Sequence, residues 1–130
     1  MSSIFSKIVS NEIPSYKVYE NENFLAFLDI NPLKQGHTLV IPKIEVDYIF
    51  DLKSKEYQEL WNFAKLVAKG MKRVIKCERI SIVVMGLEVP HAHIHLIPLD
   101  SMQDIDFSQP KLNLSSDQMN KIASLINSAI

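Results

Sequence analysis

Apolar residues recur in steps of three and four from Ser54 to about Cys77, at Tyr57, Leu60, Phe63, Ala64, Val67, Met71 and Val74. That is the period of an amphipathic helix with one face turned inward. Ser54 is its expected N-cap, Glu56 falls in the first turn, and Lys72, Arg73 and Lys76 sit where the negative end of the helix dipole favours cations. Lys65, Lys69, Lys72 and Lys76 share a face that reads as solvated surface. Gly70 costs about 1 kcal/mol of helix propensity relative to Ala and marks a place where another element can approach closely.

Elsewhere the pattern shortens to strand-length runs. Tyr16 to Glu20, Phe24 to Leu28, His37 to Ile41 closed by Pro42, Ile80 to Met85, and His91 to Leu99 read as strands, the last two forming an antiparallel hairpin across Gly86 to Pro90. Asp29 to Gly36 carries turn chemistry. Ser3 is expected to cap a short helix through Val9, and Ser116 a last helix with Met119, Ile122, Ala123 and Ile126 inward. Ser101 to Leu114 is largely polar and reads as a surface excursion. The fold class is α+β.

Composition narrows the setting. The 130 residues show no repeat or linker, so one domain over 1–130 is expected, with 1–100 as its core and 101–130 as excursion and helix. No apolar run is long enough for a membrane span, and the first residues lack the apolar stretch of a secretory signal. The single Cys77 can form no internal disulfide, which fits a cytoplasmic location. A net charge of -1, with dispersed acids, gives no reason to expect nucleic acid as a partner.

The chemistry concentrates in one place. Three of four histidines, His91, His93 and His95, alternate with Ala92, Ile94 and Leu96, so in a strand the imidazoles line one face. A purely structural role is disfavoured, because protonated same-face neighbours repel one another. A zinc site is a rival reading, with His37 as an added ligand. The outer Cα atoms of three alternating positions lie about 13 Å apart, however, too spread for all three imidazoles to meet one ion. Covalent catalysis suits the spacing better: the middle imidazole attacks an electrophilic phosphorus while its neighbours orient it and face the leaving group.

These residues carry a resemblance. His91-Ala-His-Ile-His-Leu-Ile97 resembles the His-φ-His-φ-His-φ-φ signature of the histidine triad (HIT) family. Ile4-Phe-Ser-Lys-Ile8, Glu12-Ile-Pro14, Phe24 to Ile30 and Gly36 to Lys43 resemble, in order, further blocks of that family's nucleoside phosphoramidase-like branch. The resemblance implies an antiparallel sheet of about five strands, a homodimer and a nucleotide site favouring purines, with no obligatory cofactor or metal. His93 would be the nucleophile that forms a nucleotidyl-histidine intermediate. His95 would contact the phosphate or leaving group, with His91 and His37 in support. Asp29 would bind the ribose hydroxyls, and Phe5, Ile8, Ile13, Phe27 and Ile30 would wall the base. His95 stands where related nucleotidyltransferases typically carry Gln, which favours the hydrolase side. The chain departs from the family pattern before Gly86, where Met85 cannot supply the usual amide and Glu88 replaces a small hydroxyl. That places a carboxylate near the leaving-group side.

The expected function is cleavage of a P–N or P–O–P bond at the α-phosphorus of a nucleoside phosphoramidate or dinucleoside polyphosphate. The alternatives are a nucleotide-binding regulatory or scaffold dimer with little turnover and, third, a zinc-dependent hydrolase. The apolar surplus of the long helix at Leu60, Phe63, Val67 and Met71, together with Gly70, is the expected dimer face.

Overall fold

The computed structural model describes residues 2–130. The elements run α1 (Ile4–Val9), β1 (Lys17–Glu20), β2 (Phe24–Leu28), β3 (Thr38–Pro42), α2 (Ser54–Val74), β4 (Arg79–Val83), β5 (Ile94–Leu99) and α3 (Ser116–Ser128), with short 3-10 turns at Ile49–Asp51 and Met102–Ile105. The five strands form one sheet in the order β1-β2-β3-β5-β4, every neighbouring pair antiparallel. Among the described residues, no helix is long and apolar enough to cross a membrane.

Both faces of the sheet centre are covered, and for that reason β2 and β3 are buried at every position and carry almost no polar residues. On one face Ala26, Leu28, Val40, Ile94 and Leu96 pack against Leu60, Phe63, Val67 and Met71 of α2 and Met119, Ile122, Ala123 and Ile126 of α3. This core therefore continues past residue 100. On the other face Phe5 and Ile8 of α1 close over Leu25, Phe27, Leu39 and Ile41. The histidines sit on this second side.

The amphipathic pattern located each element, while several ends differ from expectation. Lys53, not Ser54, occupies the N-cap of α2 and makes no side-chain cap bond, and the helix stops at Val74. Ile75 leaves the helix in extended geometry, and its Cδ1 would lie 2.3 Å from a Cβ built on Gly36. Tertiary fit, rather than propensity, ends the helix there. Ser115, one residue before the expected Ser116, caps α3 through a capping box with Gln118. Strand β5 begins at Ile94 rather than His91, because His91 and Ala92 bond Val89 and Val46 outside the sheet. The connection before it accordingly spans residues 84–93 rather than Gly86 to Pro90. The side-chain alternation survives in this irregular stretch, with Ala92, Ile94 and Leu96 in the main core and the imidazoles opposite.

The face of α2 expected to be left over for a dimer is not left over. Leu60, Phe63, Val67 and Met71 are all buried within this one chain, each contributing roughly 1.5–3 kcal/mol of apolar transfer. A Cβ on Gly70 would meet Ile130 Cγ1 at 2.5 Å. The close approach at Gly70 is thus made by Ile130 of the same chain.

Candidate active site

Local loop chemistry holds His37 in place. Asp29 N–H donates to the His37 carbonyl (3.0 Å), His37 N–H to the Lys34 carbonyl (3.0 Å), and Leu33 N–H to His37 Nδ1 (3.1 Å). A backbone N–H can only donate, so Nδ1 carries a lone pair and the ring proton sits on Nε2. His37 Nε2–H faces His95 Nδ1 at 3.0 Å, which leaves His95 with its own proton on Nε2. This relay ends in an N–H donor.

A second set of bonds ends the opposite way. His91 Nε2–H donates to the Pro42 carbonyl (2.8 Å), and His91 Nδ1 accepts from the Ser3 hydroxyl (2.8 Å). The His91 carbonyl accepts the Nδ1–H of His93 at 2.7 Å, so the His93 Nε2 keeps its lone pair. The His93 ring lies edge-on between Phe5 and His95, with both centroids 5.0 Å away. A nucleophilic nitrogen and an N–H donor therefore stand side by side.

All four histidines are buried, and burial disfavours charge on His37, His91 and His95. Desolvation, helped by His95 and Lys111, brings His37 down to about 3, and desolvation with His93 brings His95 down to about 4. His91 is lowered by burial, against the pull of the Pro42 carbonyl and Glu45. The approach of His37 Nε2 to Asp29 Oδ2 at 3.6 Å is therefore no ion pair near neutrality, since His37 is uncharged there. Asp29 itself is raised by burial, opposed by the N–H of Asn31 that its Oδ1 accepts at 2.8 Å. Asp29 thus closes an Asx-type turn with one oxygen and leaves Oδ2 facing the relay.

Asp29, His37 and His95 each bring a ligand-type atom within 4.8 Å of the others. The tautomers oppose a shared ion at this position. A metal on His37 Nε2 would displace its proton while Nδ1 still accepts from Leu33, forcing an imidazolate.

The expected base walls are only partly together. Phe5, Ile8 and Phe27 are buried in one cluster, with Ile13 and Val89 partly buried at its rim. Ile30 stands apart, 68% exposed beside Asp29. Glu88 is exposed on the 84–93 connection, where its charge opposes ionisation of Asp29. A separate cavity of about 560 Å³ borders His93 and Ala92, walled by Tyr48, Phe50, Trp61, Ile82, Met85 and Leu87.

Five side chains around the site were not singled out for it from sequence. Ser3 hydrogen-bonds His91 with Ser6 nearby at 3.4 Å, and Glu45 accepts from Ser3 N–H (2.6 Å) and the Ser6 hydroxyl (2.7 Å). Phe107 packs edge-on against His95 at 5.0 Å and His37 at 6.2 Å. Lys111 Nζ lies 5.9 Å over the Phe107 ring and donates to the Phe107 and Gln109 carbonyls. The 101–114 excursion is thereby a strap over the relay. It is tied down by Lys34 to Asp104 (3.5 Å) and by Leu112 N–H to the Pro32 carbonyl (2.8 Å). An isolated aromatic in a polar segment was the available signal for Phe107. No pattern pointed to Glu45.

A family model described as a HIT domain matches residues 10–102. The chain belongs to the HIT family. An uncharacterized HIT-like protein of Borreliella burgdorferi is 36% identical over 132 residues, covering 95% of each chain. An adenosine 5'-monophosphoramidase of Saccharomyces cerevisiae is 34% identical over 121 residues, covering 92% of this chain and 77% of that one. Among solved structures, a HIT-like protein from Bartonella henselae superposes with a TM-score of 0.86 at 30% identity, covering 99% of this HIT chain and 97% of the other. The α+β architecture and five-stranded antiparallel sheet are those of the family.

Proposed function

We propose that the chain is a nucleotide hydrolase acting at the α-phosphorus of a nucleoside phosphoramidate, through a nucleotidyl-histidine intermediate on His93. The observation that carries this reading is the pair of opposed tautomers, a free lone pair on His93 Nε2 beside an N–H on His95 Nε2. Attack by Nε2 forms the N–P bond and creates an imidazolium, whose positive charge the His91 carbonyl on Nδ1–H stabilises. The leaving nitrogen departs with the P–N electron pair. If it enters already protonated it leaves as a neutral amine, so His95 need only donate a hydrogen bond to phosphate or leaving group. Water then attacks phosphorus, forming a P–O bond as the N–P bond breaks; the electron pair returns to Nε2 as its lone pair, the proton shed by water passes to solvent, and nucleoside monophosphate is freed.

Asp29 Oδ2 is suited to accept ribose hydroxyl bonds, and the rim of the Phe5 cluster at Ile13 and Val89 to lie against a base, favouring a purine. The monophosphoramidase named among the relatives supports the P–N reading over P–O–P. The test is His93→Ala assayed on adenosine 5'-phosphoramidate with chelator present. Turnover and trapped intermediate should vanish while nucleoside monophosphate still binds. Wild-type protein that binds nucleotide without turnover or trapped intermediate would instead favour the scaffold alternative.

The homodimer is proposed on grounds other than α2. Strand β4 is a sheet edge with Ile82 48% exposed, next to the cavity lined by Tyr48, Phe50, Trp61 and the 91% exposed Leu87. Trp61 Nε1 is buried with no partner among the described residues. A second copy pairing edge to edge would use that face and wall the cavity beside His93. Light scattering should give twice the mass of one chain at micromolar concentration, and Ile82→Lys should halve it. A wild-type mass of one chain would end this proposal.

A further inference from the structure

We propose that Glu45, Ser3 and Ser6 form a positioning clasp that fixes the orientation of the His91 ring and, through the His91 carbonyl, the nucleophile. The inference rests on the reading of His93 as the attacking group. Glu45 is exposed and lies on the segment after β3, yet its Oε1 takes both the Ser3 N–H and the Ser6 hydroxyl. These bonds decide where every hydroxyl proton goes. A carboxylate only accepts, so Ser6 spends its proton on Glu45 and has none for His91, 3.4 Å away. Ser3 Oγ accepts the Ser6 N–H at 3.0 Å as the N-cap of α1 and directs its single proton to His91 Nδ1.

Helix capping and the seating of His91 thus share one atom. The Pro42 carbonyl can only accept, so it requires the His91 proton on Nε2 and leaves Nδ1 to receive the Ser3 hydroxyl. Two fixed bonds orient the buried ring, and the adjoining carbonyl is held on His93 Nδ1–H. The clasp also seats α1, whose Phe5 touches both His91 (5.9 Å) and His93 (5.0 Å). Glu45 bonds neither His93 nor His95 and acts only through its neighbours, as a positioning residue. Hydrogen-bonding of this carboxylate to Ser3 and Ser6 keeps it ionised down to about 2, so the clasp holds across the working pH range.

The test compares Glu45→Ala, Glu45→Gln, Ser3→Ala and Ser3→Thr in the full chain by two readouts. One is kcat and KM on adenosine 5'-phosphoramidate; the other is the ¹⁵N shifts of His91 and His93, which report the hydrogen bond at each ring nitrogen. Glu45→Ala and Ser3→Ala should lower kcat about five- to tenfold, the worth of one hydrogen bond, and move the His91 Nδ1 shift as its donor is loosened or lost. Glu45→Gln, which keeps the accepting oxygen, and Ser3→Thr, which keeps the hydroxyl, should stay within about twofold of wild type. Unchanged kcat and His91 Nδ1 shift in both alanine variants would overturn the clasp, as would Gln as damaging as Ala at position 45. If wild type fails to turn over the probe, the hydrolase reading fails instead, and the ¹⁵N shifts still decide the clasp.

Discussion

Acid should unfold this protein through two buried imidazoles well before most of its carboxylates titrate. The unfolded chain takes up protons on histidine near pH 6.5, whereas the folded chain resists until about 3 for His37 and about 4 for His95. Each group therefore contributes stability that is full above pH 6.5 and is lost as pH falls toward its folded value. At pH 5 the gap from 6.5 is about 1.5 units, worth about 2 kcal/mol per imidazole and about 4 kcal/mol for the pair. Both side chains are buried, so screening by solvent removes little of this. His95→Gln isolates one contribution, because the amide oxygen can accept from His37 Nε2–H and nothing at 95 titrates. Urea unfolding at pH 7.5 and 5.0 should show the variant losing about 2 kcal/mol less than wild type between them. Asp29, whose folded value is raised, contributes in the opposite sense, and His91, whose value is lowered, in the same sense, but each equally in both proteins. A wild-type stability flat between these pH values would refute the neutral relay, as would a variant with the wild-type pH slope.

Phe107→Ala removes the ring edge that excludes water from His95 and His37, so both should titrate closer to 6.5 by NMR, and kcat at pH 6 should fall more than at pH 8. Equal losses at both pH values would reduce Phe107 to packing alone. Gly36→Ala places a Cβ 2.3 Å from Ile75 Cδ1 on a backbone with φ +93°, one residue before His37. It should cost about 1–3 kcal/mol in urea unfolding, and a smaller loss would mean that Ile75 yields freely.

Legibility in the sequence followed the range of the interaction. The run Phe24 to Leu28 matched its strand end to end, because both faces of β2 are apolar and turns bound it. The histidine triad was legible because alternation survives even where β5 has not begun, so the wrong strand boundary did not misplace the rings. What stayed hidden depended on contacts between distant residues. Glu45 meets Ser3 across 42 positions and Ser3 meets His91 across 88, and no local period encodes either. Polar composition marks 101–114 as a surface segment, and what composition could not show is its hold on the site, which comes from single bonds, Lys34 to Asp104 and Leu112 to Pro32. The α2 face misled in the other direction. Its apolar surplus was real, but α3 uses it, and the amphipathic period says only that a face is buried, not by which partner.

The two proton chains explain why this site has four histidines rather than two. An imidazole with no fixed partner populates both tautomers, and under the proposed attack part of that population would present an N–H to phosphorus. Here the rings of His95 and His93 trace back to backbone groups that have no choice: the Leu33 N–H must donate, and the His91 carbonyl must accept. His37 serves as an inverter, turning a backbone donor into a ring donor aimed at His95, so that His95 ends in N–H. His93 receives its orientation directly and ends in a lone pair. Exchanging the two anchors would exchange lone pair and N–H donor. A neutral pH alone could not enforce that difference, since both rings are the same chemical group, and the asymmetry between them comes from the backbone at Leu33 and His91.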